Sequence, residues 1–487
     1  MPERRLALAL LTVACAVVAA ALDVAMADSG VIVSTQSGSV QGAVSAAQPG
    51  VIVYQRIPYA APPVGALRWR APQPALPWLG ILDATKPAPG CVQAIDPGNP
   101  SAPVSLPWTA EFAHLGPTAE DCLYLDIWTP AAATGRQLPV LVFIHGGAFM
   151  SGSVSVPLYD GAALARMNLI VVTINYRLGV LGFLAHPALT QESEHHVSGN
   201  YGLLDQVAAL RWVHANIAAF GGDPGRVTIS GQSAGAISAY LLTVAPQAKG
   251  LFQRTIIESG PGALAALDSG SATAASFAQA QKEGADYANS LGASTAAQLR
   301  ALPAARLLPG GKSFPHLGPV LDGWLLPDDP AKIYAARQQN DVPMIIGMQA
   351  DEPSFGEDYN GSRAATTRAQ SLHALDQLLS ERSEVSTQPA YAYYFERAIP
   401  WPAHPQFGAF HSGELPYVFD DLAVLDRPWK AADREIAAAV SAYWAAFVSD
   451  GVPVAANGPT WPAYKPGSFR FMVFADYPAV RNLFPSP

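Results

Sequence analysis

Polar and apolar positions change rhythm several times along the chain, and each rhythm predicts a different element. "GVIVSTQSGSVQGAVS", residues 30–45, alternates around Ser37-Gly38 and predicts an opening hairpin. A proline-dense connection runs from Pro58 to Pro77. Beyond Leu123, "LYLDIWTP" predicts a strand, and "LPVLVFIHGG" and "NLIVVTINYR" are apolar on both faces, as strands inside a sheet must be. "NYGLLDQVAALRWVHANIAAFGG" instead spaces Leu203, Leu204, Val207, Leu210 and Val213 for one helical face and stops at Gly221-Gly222. "RVTIS" then predicts a strand, "AGAISAYLLTVA" a helix, and "RTIIESG" and "VPMIIGMQA" two further short strands. Residues 263–312 and 361–390 are expected to be packed surface helices. Strands alternating with helices imply an α/β fold, a mostly parallel sheet with helices on both faces. No linker or repeat interrupts it, so one domain over 28–487 is expected.

Composition adds compartment and partners to this picture. Of 487 residues, half are apolar and 14% charged, enough to bury a large core. The start, "MPERRLALALLTVACAVVAAALDVAMADSG", has two arginines and an uncharged run from Leu6 to Leu22. Ala25-Met26-Ala27 follows as a small-x-small cleavage site. Residues 1–27 therefore read as a signal peptide cleaved after Ala27, giving a secreted or periplasmic protein without stable membrane insertion. The leader carries Arg4 and Arg5 but also Glu3 and Asp23, so the net charge of −9 survives its removal. An acidic chain without a basic cluster excludes nucleic acid as an expected partner. Outside the leader, Cys91 and Cys122 form an even pair in an oxidising compartment. They are read either as a disulfide or as two unrelated buried thiols. No Cys/His spacing suits zinc, and neither metal nor cofactor is expected.

The candidate chemistry sits where "VTISGQSAGAIS" passes from strand to helix. A turn that tight strains its apex residue, Ser233, and lifts the side chain above the sheet end. Gly231 and Gly235, two positions away on either side, are small enough to permit it. The helix that follows aims unpaired N–H groups and its positive dipole end at the same place, which suits a nucleophile whose reaction creates an oxyanion. "FIHGGAFMSG" supplies a second small-residue loop after a buried strand. Gly147 and Ala148, with Ala234 just after the serine, are the expected oxyanion donors, and His145 is expected to hold that loop.

At this point the residues carry a resemblance. "RIPYAAPPVGALRW", "EDCLYLDIWTP", "HGGAF", "NYRLGVLGFL", "NYGLLDQVAALRWVHANIAAFGGDPGRVTISGQSAG", "PVLDGWLLP", "ADEPSF", "FHSGELPYVF" and "WPAY" resemble, in order and from about Val31 to Tyr464, the type-B carboxylesterase family, relatives of cholinesterases and bile-salt lipases. The resemblance implies the α/β-hydrolase fold and a serine esterase acting on a small-molecule ester. It puts the nucleophile on Ser233, the acid on Glu352 and the general base on His411, in the order Ser, Glu, His. It also pairs Cys91 with Cys122 near the site mouth and gives Ser259 a supporting role behind the triad. Asp351 is the rival acid.

Departures from the family pattern matter for substrate. Gln232 stands before the nucleophile where most relatives carry Glu, which weakens the case for a cationic choline ester. Pro353 stands where Gly is usual. Only 59 residues separate Glu352 from His411, which implies a reduced helical covering over the active site. Phe149, Trp108 and Phe355 are candidate substrate-pocket residues. Two rivals stay open: hydrolysis of a related acyl bond (carbamate, amide or polyester), and a non-catalytic binding or adhesion protein of the same superfamily.

Overall fold

The structure is a computed structural model that describes residues 31–93, 112–113, 116–133, 135–262, 274–308, 316–352, 354 and 361–484, without the side chains of 361–364. The expected signal peptide, Trp108, Pro353 and Phe355 lie outside the described residues.

Among the described residues one sheet has eleven strands. In chain order these are β1 (Ala43–Val44), β2 (Val51–Pro58), β3 (Tyr124–Pro130), β4 (Leu138–Ile144), β5 (Ile170–Ile174) and β6 (Gly222–Gln232). They continue as β7 (Arg254–Glu258), β8 (Met344–Gln349), β9 (Ala390–Phe395), β10 (Arg470–Phe474) and β11 (Pro478–Asn482). The spatial order is β11-β10-β9-β8-β7-β6-β4-β5-β3-β2-β1. From β5 across to β10 every neighbouring pair is parallel, while both margins are antiparallel. Every residue of β4, β5, β8 and β9 is buried, which is why those stretches are apolar without alternation.

The hairpin expected at the start is present, Ile32–Ser34 against Ser39–Gln41. It belongs to a separate small sheet with Ile81–Asp83. The helix expected from Asn200 spans Tyr201–Asn216, and Ala234–Val244 follows β6 directly. Of the two surface-helical regions, the first contains Phe277–Ser290 and Ala296–Ala301. The second is one long helix, Gly361–Val385, after which the chain turns into β9.

Register lines up the carboxyl ends of the central strands. Ile144 stands across from Gly231, Gln232 from Glu258, and Gln349 from Phe395. Because β4 leads outward to β5 while β6 pairs on its other side, strand order reverses between β4 and β6. The crevice at such a reversal, beyond the carboxyl ends, is where sheets of this kind bind ligands. The loops carrying Gly147, Ser233, Glu352 and His411 all leave from that edge.

Candidate active site

Ser233 is held in a conformation that few side chains accept, φ 58° and ψ −122°. The flanking glycines are obligatory. A Cβ on Gly231 would lie 2.3 Å from the backbone of Gly235, and one on Gly235 would lie 1.9 Å from the Ile144 carbonyl. The Ser233 N–H donates to the Glu258 carbonyl at 2.9 Å, tying the apex to β7. Its side chain is partly exposed at the amino end of the helix Ala234–Val244, whereas Ala234 is buried.

The oxyanion-loop candidates are also strained. Gly147, Ala148 and Phe149 have φ of 104°, 54° and 59°, so two residues with side chains stand in the left-handed region in succession. Such residues cost about 1–3 kcal/mol each and persist only where the surroundings fix them. Here His145, buried and stacked on Tyr176 at 4.5 Å, donates from Nδ1 to the Gly146 carbonyl at 2.8 Å. The Phe149 carbonyl accepts from the Gly179 N–H at 2.7 Å, and its ring packs on Phe183 at 4.9 Å. His145 thus sits under the loop, as expected from its place in the sequence. Phe149 is buried, and Ala148 is exposed.

Across the crevice the structure brings His411 and Glu352 together. Nδ1 of His411 lies 2.5 Å from Oε2 of Glu352, and both residues are buried. The other carboxylate oxygen accepts from the Gln349 N–H at 2.8 Å, so both oxygens have partners. The far edge of the imidazole faces the nucleophile turn, because Nε2 is 3.3 Å from Nε2 of Gln232, the residue preceding Ser233. Asp351 has other work. Oδ1 takes Arg368 at 2.7 Å, and Oδ2 takes the Ala409 N–H at 3.0 Å. The Asp351 N–H donates to the Ala409 carbonyl at 3.0 Å, and a parallel bridge links Asp351 to Phe410. Asp351 therefore fastens the histidine loop while its neighbour faces the histidine.

Behind this pair lies a layer that the sequence reading only touched. Ser259 is wholly buried with φ 56°, and its Oγ is 3.5 Å from Oε1 of Glu414. Glu258 and Glu414 are buried too, and Trp444 donates its indole N–H to Glu258 at 2.6 Å. Burial pushes the Glu258 carboxyl up to about 8. Burial, with Glu258 and Glu352 nearby, raises Glu414 well above the ordinary carboxylate range. Behind the carboxyl that meets His411 thus lie two more whose burial raises them above the ordinary carboxylate range. Only Ser259 had been singled out from sequence. Glu414 stands in the same quoted motif as His411, and Glu258 ends the strand "RTIIE".

Cys91 and Cys122 form a disulfide, Cα atoms 5.0 Å apart. No helix among the described residues is long and apolar enough to cross a membrane. No group of three or more metal-ligating side chains occurs among them either.

Comparison with known proteins bears on the family and the fold. A family model described as carboxylesterase family matches residues 29–386 and 373–482. The fumonisin B1 esterase of Sphingopyxis macrogoltabida is 35% identical, over 90% of this chain and 85% of its own. The para-nitrobenzyl esterase of Bacillus subtilis (strain 168) is 37% identical, over 89% and 92% respectively. A solved PNB esterase structure superposes with a TM-score of 0.78 at 32% identity, covering 93% of this chain and 99% of that one.

Proposed function

We propose that this chain, which belongs to the carboxylesterase family and is a carboxylic ester hydrolase, cleaves its substrate through a covalent acyl-enzyme on Ser233. Ser233 Oγ attacks the ester carbonyl while Nε2 of His411 takes its proton. The N–H groups of Gly147, Ala148 and Ala234 receive the oxyanion. His411 then hands the proton to the departing alcohol, and a water activated by the same imidazole releases the acid. Glu352 fixes the imidazole tautomer through Nδ1 and stabilises the imidazolium.

The observation that carries this reading is the 2.5 Å contact of His411 with Glu352, with the other imidazole nitrogen turned toward the residue next to Ser233. The strained backbone at Ser233, Ala148 and Phe149 supports it, because strain of this kind gathers where geometry is being held for a reaction. Gln232 puts a neutral amide beside the imidazole, which favours esters without a cationic alcohol. The relatives are named for esters with little in common, so the acyl machinery transfers more readily than the substrate. The disulfide supports export to an oxidising compartment.

A phosphonylating reagent is expected to inactivate the protein with a single adduct on Ser233, located by mass spectrometry of the digest. Ser233→Ala is expected to lower p-nitrophenyl acetate turnover by at least about 10⁴-fold. Turnover within about tenfold of wild type in Ser233→Ala would overturn the reading.

A further inference from the structure

The geometry points to Gln93 as a positioning residue for the oxyanion loop, joining that loop to the disulfide; the inference rests on the acyl-enzyme reading above. Gln93 stands two residues after Cys91. Its amide grips the backbone of Gly152 from both sides. Oε1 accepts from the Gly152 N–H at 3.0 Å, and Nε2 donates to the Gly152 carbonyl at 3.0 Å. The same Nε2 donates to the Cys91 carbonyl at 3.0 Å. One neutral side chain thus satisfies three backbone groups of two segments, 59 residues apart.

A second amide repeats the arrangement from the residue just after β5. Asn175, buried, accepts from the Val154 N–H at 2.8 Å and donates to the carbonyls of Cys122 at 3.1 Å and Pro89 at 3.0 Å. Both ends of the disulfide are therefore bound through an amide to the segment Gly152–Val154. That segment is pressed onto the start of the oxyanion loop. A Cβ on Gly152 would lie 2.2 Å from Nδ1 of His145 and 2.8 Å from the Gly146 carbonyl. Moving Gly152 therefore moves the ring and the carbonyl that precede Gly147 and Ala148. Two successive left-handed residues with side chains do not hold their own conformation, and the frame that holds these includes Gln93. The side-chain hydrogen bonds of Gln93 go to Gly152 and Cys91, so its effect on rate must pass through the loop.

The test is a double-mutant cycle on the full chain with p-nitrophenyl butyrate, between Gln93→Ala and the pair Cys91→Ser/Cys122→Ser. Gln93→Ala is expected to lower kcat about tenfold with KM within about twofold of wild type, since the loop acts on the transition state more than on the bound ester. The cysteine pair is expected to lower kcat similarly, and the triple variant to be no worse than either, because all act through one tie. A wild-type kcat in Gln93→Ala, a loss confined to KM, or losses that multiply in the triple variant overturns the inference. Should the cysteine variant not fold, the kcat and KM of Gln93→Ala decide alone. Ser233→Ala, run alongside, separates the two readings. Turnover there within about tenfold of wild type removes the acyl-enzyme mechanism, whereas a loss of at least about 10⁴-fold in Ser233→Ala beside an unaffected Gln93→Ala removes only the tie.

Discussion

The two banks of the crevice are built on opposite principles. On the His411 side the parts are side chains, held by burial and hydrogen bonds to other side chains: Glu352 on His411, Ser259 on Glu414, Trp444 on Glu258. On the Gly147 side the parts are backbone N–H groups, held by conformations that most residues avoid and by amides that clamp the chain. On the proposed mechanism the first bank moves the proton through side chains, while the second receives the oxyanion on backbone amides that do not titrate, with the His145 ring packed beneath them. Shape changes are therefore expected to act mainly on the second.

The largest effect belongs to the bank of side chains. Glu352→Gln keeps the shape but loses the charge and the tautomer control. It is expected to lower kcat by about 10⁴, as with loss of the equivalent carboxylate charge in serine hydrolases generally. The check is kcat with p-nitrophenyl butyrate at saturating substrate. A loss below tenfold would mean that Glu352 does not orient the base.

Next comes the bank of backbone. Gly152→Ala would set a Cβ 2.2 Å from Nδ1 of His145 at a φ of 114°, where an L side chain is strained even in open space. About 100-fold loss in kcat is expected from the displaced loop, with the pH dependence of kcat/KM unchanged. A shifted pH profile would break the comparison, for it would show that this bank reaches the imidazole of His411.

What could be read in the chain follows the same divide. Ser233, Glu352 and His411 could be proposed from the chain because each sits in a short local motif and their order is the one this fold expects. The central strands are legible because burial on both faces leaves an unbroken apolar run, as in β4 and β5. The run "AYAYYF" of β9 and the helix Ala431–Asp450 carried comparable signals and went unread. Other features had no local signal at all. Glu258 reads as an ordinary strand-ending carboxylate until Trp444, 186 residues on, is packed against it. Gln93 is a lone amide whose partner Gly152 comes within reach only once the sheet has formed. Contacts between distant segments decided these roles, and no periodicity encodes such contacts.

A smaller effect tests the titrating bank through stability. Unfolded, Glu258 has the ordinary carboxyl value of 4.5; folded, it is pushed up to about 8. Between those values the folded chain holds a proton that the unfolded chain has released. This group's contribution to stability is therefore complete below about pH 4.5 and declines as pH rises toward 8. Glu258→Gln keeps an acceptor for Trp444 and removes the titration. Thermal midpoints at pH 5 and pH 8 should show the wild type losing a few degrees relative to the variant on going to pH 8. Parallel midpoints would mean that Glu258 is ionised in the folded protein.

The smallest effect is expected beside the largest one in sequence. Asp351 is a carboxylate adjacent to Glu352, yet its oxygens serve Arg368 and the Ala409 N–H rather than the imidazole. The pair with Arg368 is partly exposed, so solvent screens it and its worth is about 1 kcal/mol or less. Asp351→Asn keeps an acceptor for Ala409 and gives up only the charge toward Arg368. Its kcat is expected to fall by about threefold or less, through a slightly looser histidine loop, with KM unchanged. Measured beside Glu352→Gln on the same ester, it tests position rather than chemistry. The two carboxylates differ by one residue in the chain and by the partner each meets. If Asp351→Asn lost as much as Glu352→Gln, loop fastening and base orientation would be a single function shared by both.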